Sequence, residues 1–106
     1  MDRSTGVTVD ALQVVAEPRR RTILKLVWSS ELTAGEIAER FDVSFPAVSQ
    51  HLAVLRDAGF VSVRREGRRR FYRADRKALG PLRPALEKMW GDTLDRLVAT
   101  IEKDQR

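Results

Sequence analysis

The 106 residues include one histidine, His51, and no cysteine. Disulfides, thiolate nucleophiles and cysteine-based zinc sites therefore lack their donors. A catalytic or ligand role for His51 needs a partner, and Ser49, two positions away on a helix, points to another side. With Val48 placed at 0° and about 100° per residue, His51 falls near −60°, beside an apolar stripe. That position suits a hydrogen-bonded structural histidine on a helix flank. The chain has no glycine-rich phosphate loop, paired-carboxylate pocket or nucleophile arrangement. No catalytic residue, metal ligand or cofactor is expected, and the chemistry that remains is recognition by charge and hydrogen bonding.

Arginine dominates that chemistry. Arg64, Arg65, Arg68, Arg69, Arg70 and Arg73 bracket Gly67, with Glu66 the one carboxylate among them. The formal net charge is +5, and residues 59–79 alone carry +6, leaving −1 for the rest. A basic block on an otherwise balanced chain points to a polyanionic partner, the alternative being a solvated loop. The guanidinium fork suits phosphates and a narrow minor groove. Upstream, Val48, Leu52 and Leu55 share one helix stripe, while Pro46, Ala47, Gln50 and Ala53 point away and Ser49 lies on the flank. Gln50 can bond adenine in bidentate fashion, Ala47 can meet a thymine methyl, and Ser44 and Ser49 suit phosphates or base edges. Otherwise these are ordinary solvent-facing residues. Arg19, Arg20 and Arg21 could hold phosphates or pair with Glu31, Glu36 or Glu39.

The elements that must position these groups are readable from periodicity and caps. Residues 1–7 form a loose N-terminus. A first helix starts near Thr8, with Val9, Leu12, Val15 and Ala16 at helical spacing, and Glu17-Pro18 ends it. A second runs from Pro18 to about Ser29, apolar around most of its circumference and hence central. Thr33-Ala34-Gly35-Glu36 has the form of a capping box, followed by Ala34, Ile37, Ala38 and Phe41 at helical spacing. Ser44 caps the next helix, Pro46 fits its first turn, and Gly59 supplies the C′ position. Residues 33–58 thus form a helix-turn-helix. Residues 60–66 and 69–74 read as two strands about Gly67, pairing Val63 with Tyr72 and Val61 with Ala74, with Ser62, Arg64, Phe71 and Arg73 on the other face. A helix over 81–103 carries Leu79, Leu82, Leu86, Met89, Trp90, Leu94, Leu97 and Ile101 on one side. A stripe that long calls for a second chain, unless the helix folds back on its own domain. Met89 and Trp90 could alternatively line an effector pocket.

Apolar residues make up 42% and charged residues 33% of the chain, the balance of one soluble folded domain. No apolar run approaches membrane-spanning length, and no signal-peptide core follows Met1, so the expected compartment is the cytoplasm. The fold expected is mainly α (α+β), a winged helix-turn-helix with a two-stranded β-hairpin wing.

Several runs resemble the ArsR-type bacterial transcriptional regulators: Leu32-Thr33-Ala34-Gly35-Glu36-Ile37-Ala38, Ser44-Phe45-Pro46-Ala47-Val48-Ser49-Gln50-His51-Leu52-Ala53-Val54-Leu55, Gly59-Phe60-Val61 and Arg65-Glu66-Gly67-Arg68-Arg69-Arg70-Phe71-Tyr72. The resemblance spans roughly residues 10–100. It implies a homodimeric repressor whose first and last helices make the seam, here Leu12 with Leu86, Met89, Trp90, Leu94, Leu97 and Ile101. The partner implied is double-stranded DNA with an inverted-repeat operator. Ser44, Pro46, Ala47, Ser49 and Gln50 would enter the major groove, and Arg64, Arg68, Arg69, Arg70 and Arg73 would serve the wing. Metal-sensing members carry cysteines where this chain has Thr33 and Gly35, and residues 80–106 hold no histidine. Metal sensing is therefore not expected, and no inducer is identified. The competing reading is a winged-helix module that binds RNA, or a protein through its last helix.

Overall fold

The computed structural model describes residues 9–91. Helices α1 (Val9–Ala16), α2 (Pro18–Leu26), α3 (Ala34–Arg40) and α4 (Phe45–Asp57) precede strands β1 (Val61–Glu66) and β2 (Arg69–Ala74). A fifth helix, α5, begins at residue 82 and continues to residue 91. The arrangement is a winged helix-turn-helix, as the periodicities imply.

Local chemistry accounts for the boundaries. Glu17 extends before Pro18, and its carboxylate accepts the Arg19 N–H at 2.8 Å, so the α1–α2 break is also a cap. In the capping box at α3, Thr33 Oγ1 accepts the Glu36 N–H at 3.2 Å while Glu36 Oε1 accepts the Thr33 N–H at 2.8 Å. At the far end of α4, Gly59 takes φ 82°. The Gly59 N–H reaches the Arg56 carbonyl and the Phe60 N–H the Leu55 carbonyl, both at 2.9 Å. These are the paired bonds of a Schellman motif, with buried Leu55 and Phe60 as its apolar contact. Phe60 therefore ends the helix rather than starting the strand. The strands pair antiparallel in the expected register, Val61 with Ala74 and Val63 with Tyr72. Gly67, at φ 62°, opens the two-residue turn, and Arg68 keeps negative φ, as a type II′ hairpin requires.

The core is formed by Ile23, Leu24, Val27, Ile37, Val48, Leu52 and Leu55, all essentially inaccessible, joined by Phe60, Val61, Ala74, Leu79, Leu82 and Leu86. Two expectations shift. Helix α2 stops at Leu26, not near Ser29. The Val27 carbonyl leaves the helix ladder to accept the Ala74 N–H at 2.9 Å, and Trp28 turns inward beside Trp90. In α1 the inner face is Ala11, Val14 and Val15, which leaves Leu12 half exposed.

Leu86 requires a correction as a seam residue. It is 3% exposed within its own chain, packed in the core with Leu79 and Leu82. Trp90 packs edge-on against Trp28 with ring centroids 4.8 Å apart, and the Trp28 indole N–H donates to Glu87 Oε2 at 3.2 Å. The first turns of α5 thus fold back on their own domain, because Trp28 and three leucines are buried there, with Trp90 partly buried against them, without a second chain. Met89 stays half exposed. Leu94, Leu97 and Ile101, with the segments 1–7 and 92–103, lie outside the described residues.

Candidate nucleic-acid interface

Ser44 and Pro46 open α4. The Ser44 hydroxyl accepts the Ala47 N–H at 3.3 Å, so this serine, read from the sequence as a DNA contact, is the helix cap. Beyond it Pro46 and Gln50 are exposed, and Ala47 and Ser49 half-buried, while Val48, Leu52 and Leu55 anchor the opposite side. The helix therefore presents the five residues singled out from the sequence at one outward, N-terminal end. Phe45, absent from that set, is 56% exposed at the same end. Its signal in the sequence is a large apolar side chain at the first helical position, at the edge of the Val48 stripe.

The wing arginines divide into two kinds. Arg64 is committed at the base. Its Nε donates to both carboxylate oxygens of Glu31 at 3.1 and 3.0 Å, and its Nη2 to Glu31 Oε1 at 3.0 Å. Its Nη1 donates to Glu66 Oε1 at 2.7 Å, and its guanidinium lies 4.7 Å from the Phe71 ring centroid. The hydrogen bonds from Arg64 hold the Glu31 carboxyl below its ordinary pKa, and Arg73 adds to that field. The Arg64 guanidinium is correspondingly raised, first by Glu31 and then by Glu66. Its placement departs from the open phosphate contact read from the sequence. At the tip, the exposed Arg68 and Arg70 form no side-chain hydrogen bond or ion pair among the described residues, and Arg69 lies over Phe71 at 5.0 Å.

The wing is tied to the helices by consecutive residues. Glu31 holds Arg64 of β1, and Leu32 exchanges backbone hydrogen bonds with Tyr72 of β2, at 3.1 and 2.8 Å. Thr33 then caps α3. One three-residue connector therefore sets the wing and α3 in a common frame. Between the wing tip, the start of α3 and the flank of α4 lies an open cavity of about 400 Å³.

Arg20 and Arg21 have another use than either alternative read from the sequence. Arg20 Nε donates to the Val14 carbonyl at 2.7 Å and Nη2 to that of Gln13 at 3.3 Å. Arg21 Nη1 donates to Val15 and Ala16 at 2.9 and 3.0 Å. Both cap the carbonyl end of α1, where cations complement the helix dipole. Arg19 remains exposed. His51 is half-buried near Glu17 and Arg20; burial, then Arg20, depresses its pKa against the opposing pull of Glu17. No hydrogen bond to its ring forms among the described residues, so its structural place rests on packing.

The model of the bacterial regulatory protein, arsR family, matches residues 17–63. The HTH-type transcriptional regulator Rv2034 of Mycobacterium tuberculosis is 38% identical over 94 residues, 89% of this chain and 88% of the relative. The chain belongs to the arsR family of bacterial regulatory proteins. Transcriptional repressor SdpR of Bacillus subtilis is 38% identical over 63 residues, 59% of this chain and 70% of the relative. A solved structure of a possible transcriptional regulator for arsenical resistance is 46% identical with TM-score 0.66, covering 88% of this chain and 97% of that one. HlyU from Vibrio cholerae is 32% identical with TM-score 0.72, covering 85% and 98%. This ArsR-family chain is a DNA-binding transcription regulator, not an enzyme. Within the ArsR fold its Thr33 serves the α3 capping box, at a position where metal-sensing members carry a thiolate. No helix among the described residues is long and apolar enough to cross a membrane.

Proposed function

We propose that the chain is a cytoplasmic, sequence-specific repressor that acts as a homodimer on an inverted-repeat operator and occludes a promoter. The observation that carries this reading is the placement of the outward end of α4 and the open arginine tip of the wing on either side of one cavity. Ser44, Pro46, Ala47, Ser49 and Gln50 enter a major groove, with Gln50 reading a base edge. Arg68, Arg69 and Arg70 grip phosphates or the adjoining minor groove, and Arg73 lies closer to the wing base. The named repressor SdpR supports repression. Half-exposed Leu12 and Met89 support a seam between copies, which Leu94, Leu97 and Ile101 would extend. Metal plays no part in this mechanism, because the chain lacks thiolates and offers one histidine.

Selection of genomic fragments bound by the purified protein tests the proposal. The expected product is an inverted repeat overlapping a promoter, with half-sites about 34–36 Å apart between centres. Recovery of no enriched fragment, or of DNA without two-fold symmetry, overturns it.

A further inference from the structure

The cavity beside α4 has features that base reading and the open arginines leave unused. It is lined by half-buried Thr33 and Tyr72, by exposed Arg68, Arg69 and Arg70 at its rim, and on the α4 side by Phe45 and Ser49. Phe45 is the most exposed of the large apolar residues described. A methyl group built at Gly35 would lie 4.0 Å from its Cε2, so one side of the ring covers the start of α3. The ring is otherwise open, beside cationic side chains.

Helical geometry says what passes over it. Relative to Val48, Pro46 and Gln50 point outward at about 160° and 200°, whereas Phe45 and Ser49 lie at about 60° and 100°, on the edge toward the wing. In B-DNA a single sugar–phosphate strand separates a major groove from the adjoining minor groove. With α4 in one and the wing tip in the other, that strand crosses between them, over the cavity.

We infer that the cavity is the seat of this dividing strand and that Phe45 packs against a deoxyribose there, so that the protein selects DNA over RNA at the sugar. The inference rests on the groove assignment proposed above. The rim guanidinium groups and the Ser49 hydroxyl suit phosphate oxygens, and an aromatic ring between them suits the apolar edge of a sugar. A ribose would press its 2′-hydroxyl onto that ring, desolvating it without a hydrogen-bond partner. The strand, rather than a free small anion, fits because both the cationic rim and the apolar Phe45 wall are used by one repeating sugar–phosphate unit.

The test replaces single nucleotides of the selected operator duplex by their ribonucleotide counterparts, one position at a time in each strand. Wild-type protein should lose roughly three- to tenfold in affinity at one or two adjacent positions of one strand in each half-site. Phe45→Ala should bind unmodified operator more weakly by a similar factor and be indifferent to ribose at those positions. Phe45→Leu, which keeps an apolar contact, should retain part of the discrimination. Thermal unfolding of both variants should match wild type, since the ring is mostly exposed. An equal ribose penalty in wild type and Phe45→Ala, or no penalised position in wild type, overturns the inference. If wild type binds no duplex DNA, the groove assignment fails first, a result distinct from either.

Discussion

Glu31 gives the wing arginines their two roles. Its carboxylate holds Arg64 by three hydrogen bonds while Arg68 and Arg70 stay open. If Arg64 were a phosphate contact, Glu31→Gln would free it and remove a negative charge from the interface, and operator affinity would rise. With Arg64 acting as a latch at the wing base, the same substitution lets the wing shift and operator affinity falls several-fold, with protection of the minor groove lost. We expect the fall; titration of operator DNA with the variant gives the sign directly. A second pair of substitutions separates reading from gripping. Gln50→Ala removes a base contact that discriminates by ~1–3 kcal/mol, narrowing the gap between operator and random DNA with little change in salt dependence. Arg68→Ala with Arg69→Ala should weaken both DNAs and flatten the logarithmic salt slope by up to ~2 units. Salt titrations on both DNAs compare the two; identical behaviour would end the division of labour.

Among the elements, the α1–α2 junction has the least expected construction. Three successive arginines open α2, and a run of that kind suggests a phosphate grip. Two of them instead donate four hydrogen bonds to the carbonyls that α1 leaves unpaired at its end. A chain turn of one residue, Glu17, brings the start of α2 against that end, and cations are favoured there. Replacing Arg20 and Arg21 by methionine should lower stability by ~1–2 kcal/mol in chemical denaturation, from lost charge-assisted bonds. The same variant should keep the wild-type salt slope on random duplex DNA. A slope reduced by about two units would restore the phosphate reading. The capping box, the C′ position of Gly59 and the hairpin register were all legible in the sequence, whereas Phe60, read as the start of the strand, closes the helix instead. Each depends on residues close along the chain: Thr33 with Glu36, Gly59 between Leu55 and Phe60, and Gly67 between alternating strands.

At the scale of the molecule, the described turns of α5 belong to the core. Leu82, Leu86 and Trp90 close the core over Trp28, so the helix is anchored to its own domain before any partner is considered. The sequence stripe continues through Leu94, Leu97 and Ile101, and Leu12 of α1 and Met89 of α5 are half exposed. Replacing Leu97 and Ile101 with glutamate would put unpaired charge into the proposed seam, at a cost of several kcal/mol. Sedimentation should then report monomers, with operator binding reduced because two half-sites no longer engage together. Since Leu86 and Trp90 lie in the domain itself, the monomer should stay folded, with an unchanged circular-dichroism spectrum at low temperature. A variant that remains dimeric would move the seam elsewhere.

By itself the sequence determined the order of elements, the N-caps of α3 and α4, the hairpin register and the concentration of positive charge around Gly67. Those features follow from periodicity, from a few cap and turn residues, and from a count of charges, all local along the chain. Tertiary structure decided which arginines are available: Arg64 meets Glu31 at a sequence separation of 33, and Arg20 and Arg21 meet carbonyls that only the fold of α2 against α1 presents. It also decided that Leu86 belongs to the core, because Trp28 leaves its helix to meet Trp90 on α5. Finally, it exposed Phe45 at the edge of a cavity whose other wall is the wing, a juxtaposition of residues 45 and 69–72 that no local pattern encodes. Charge and periodicity are additive along a chain, whereas partnership between side chains is settled only when distant segments pack.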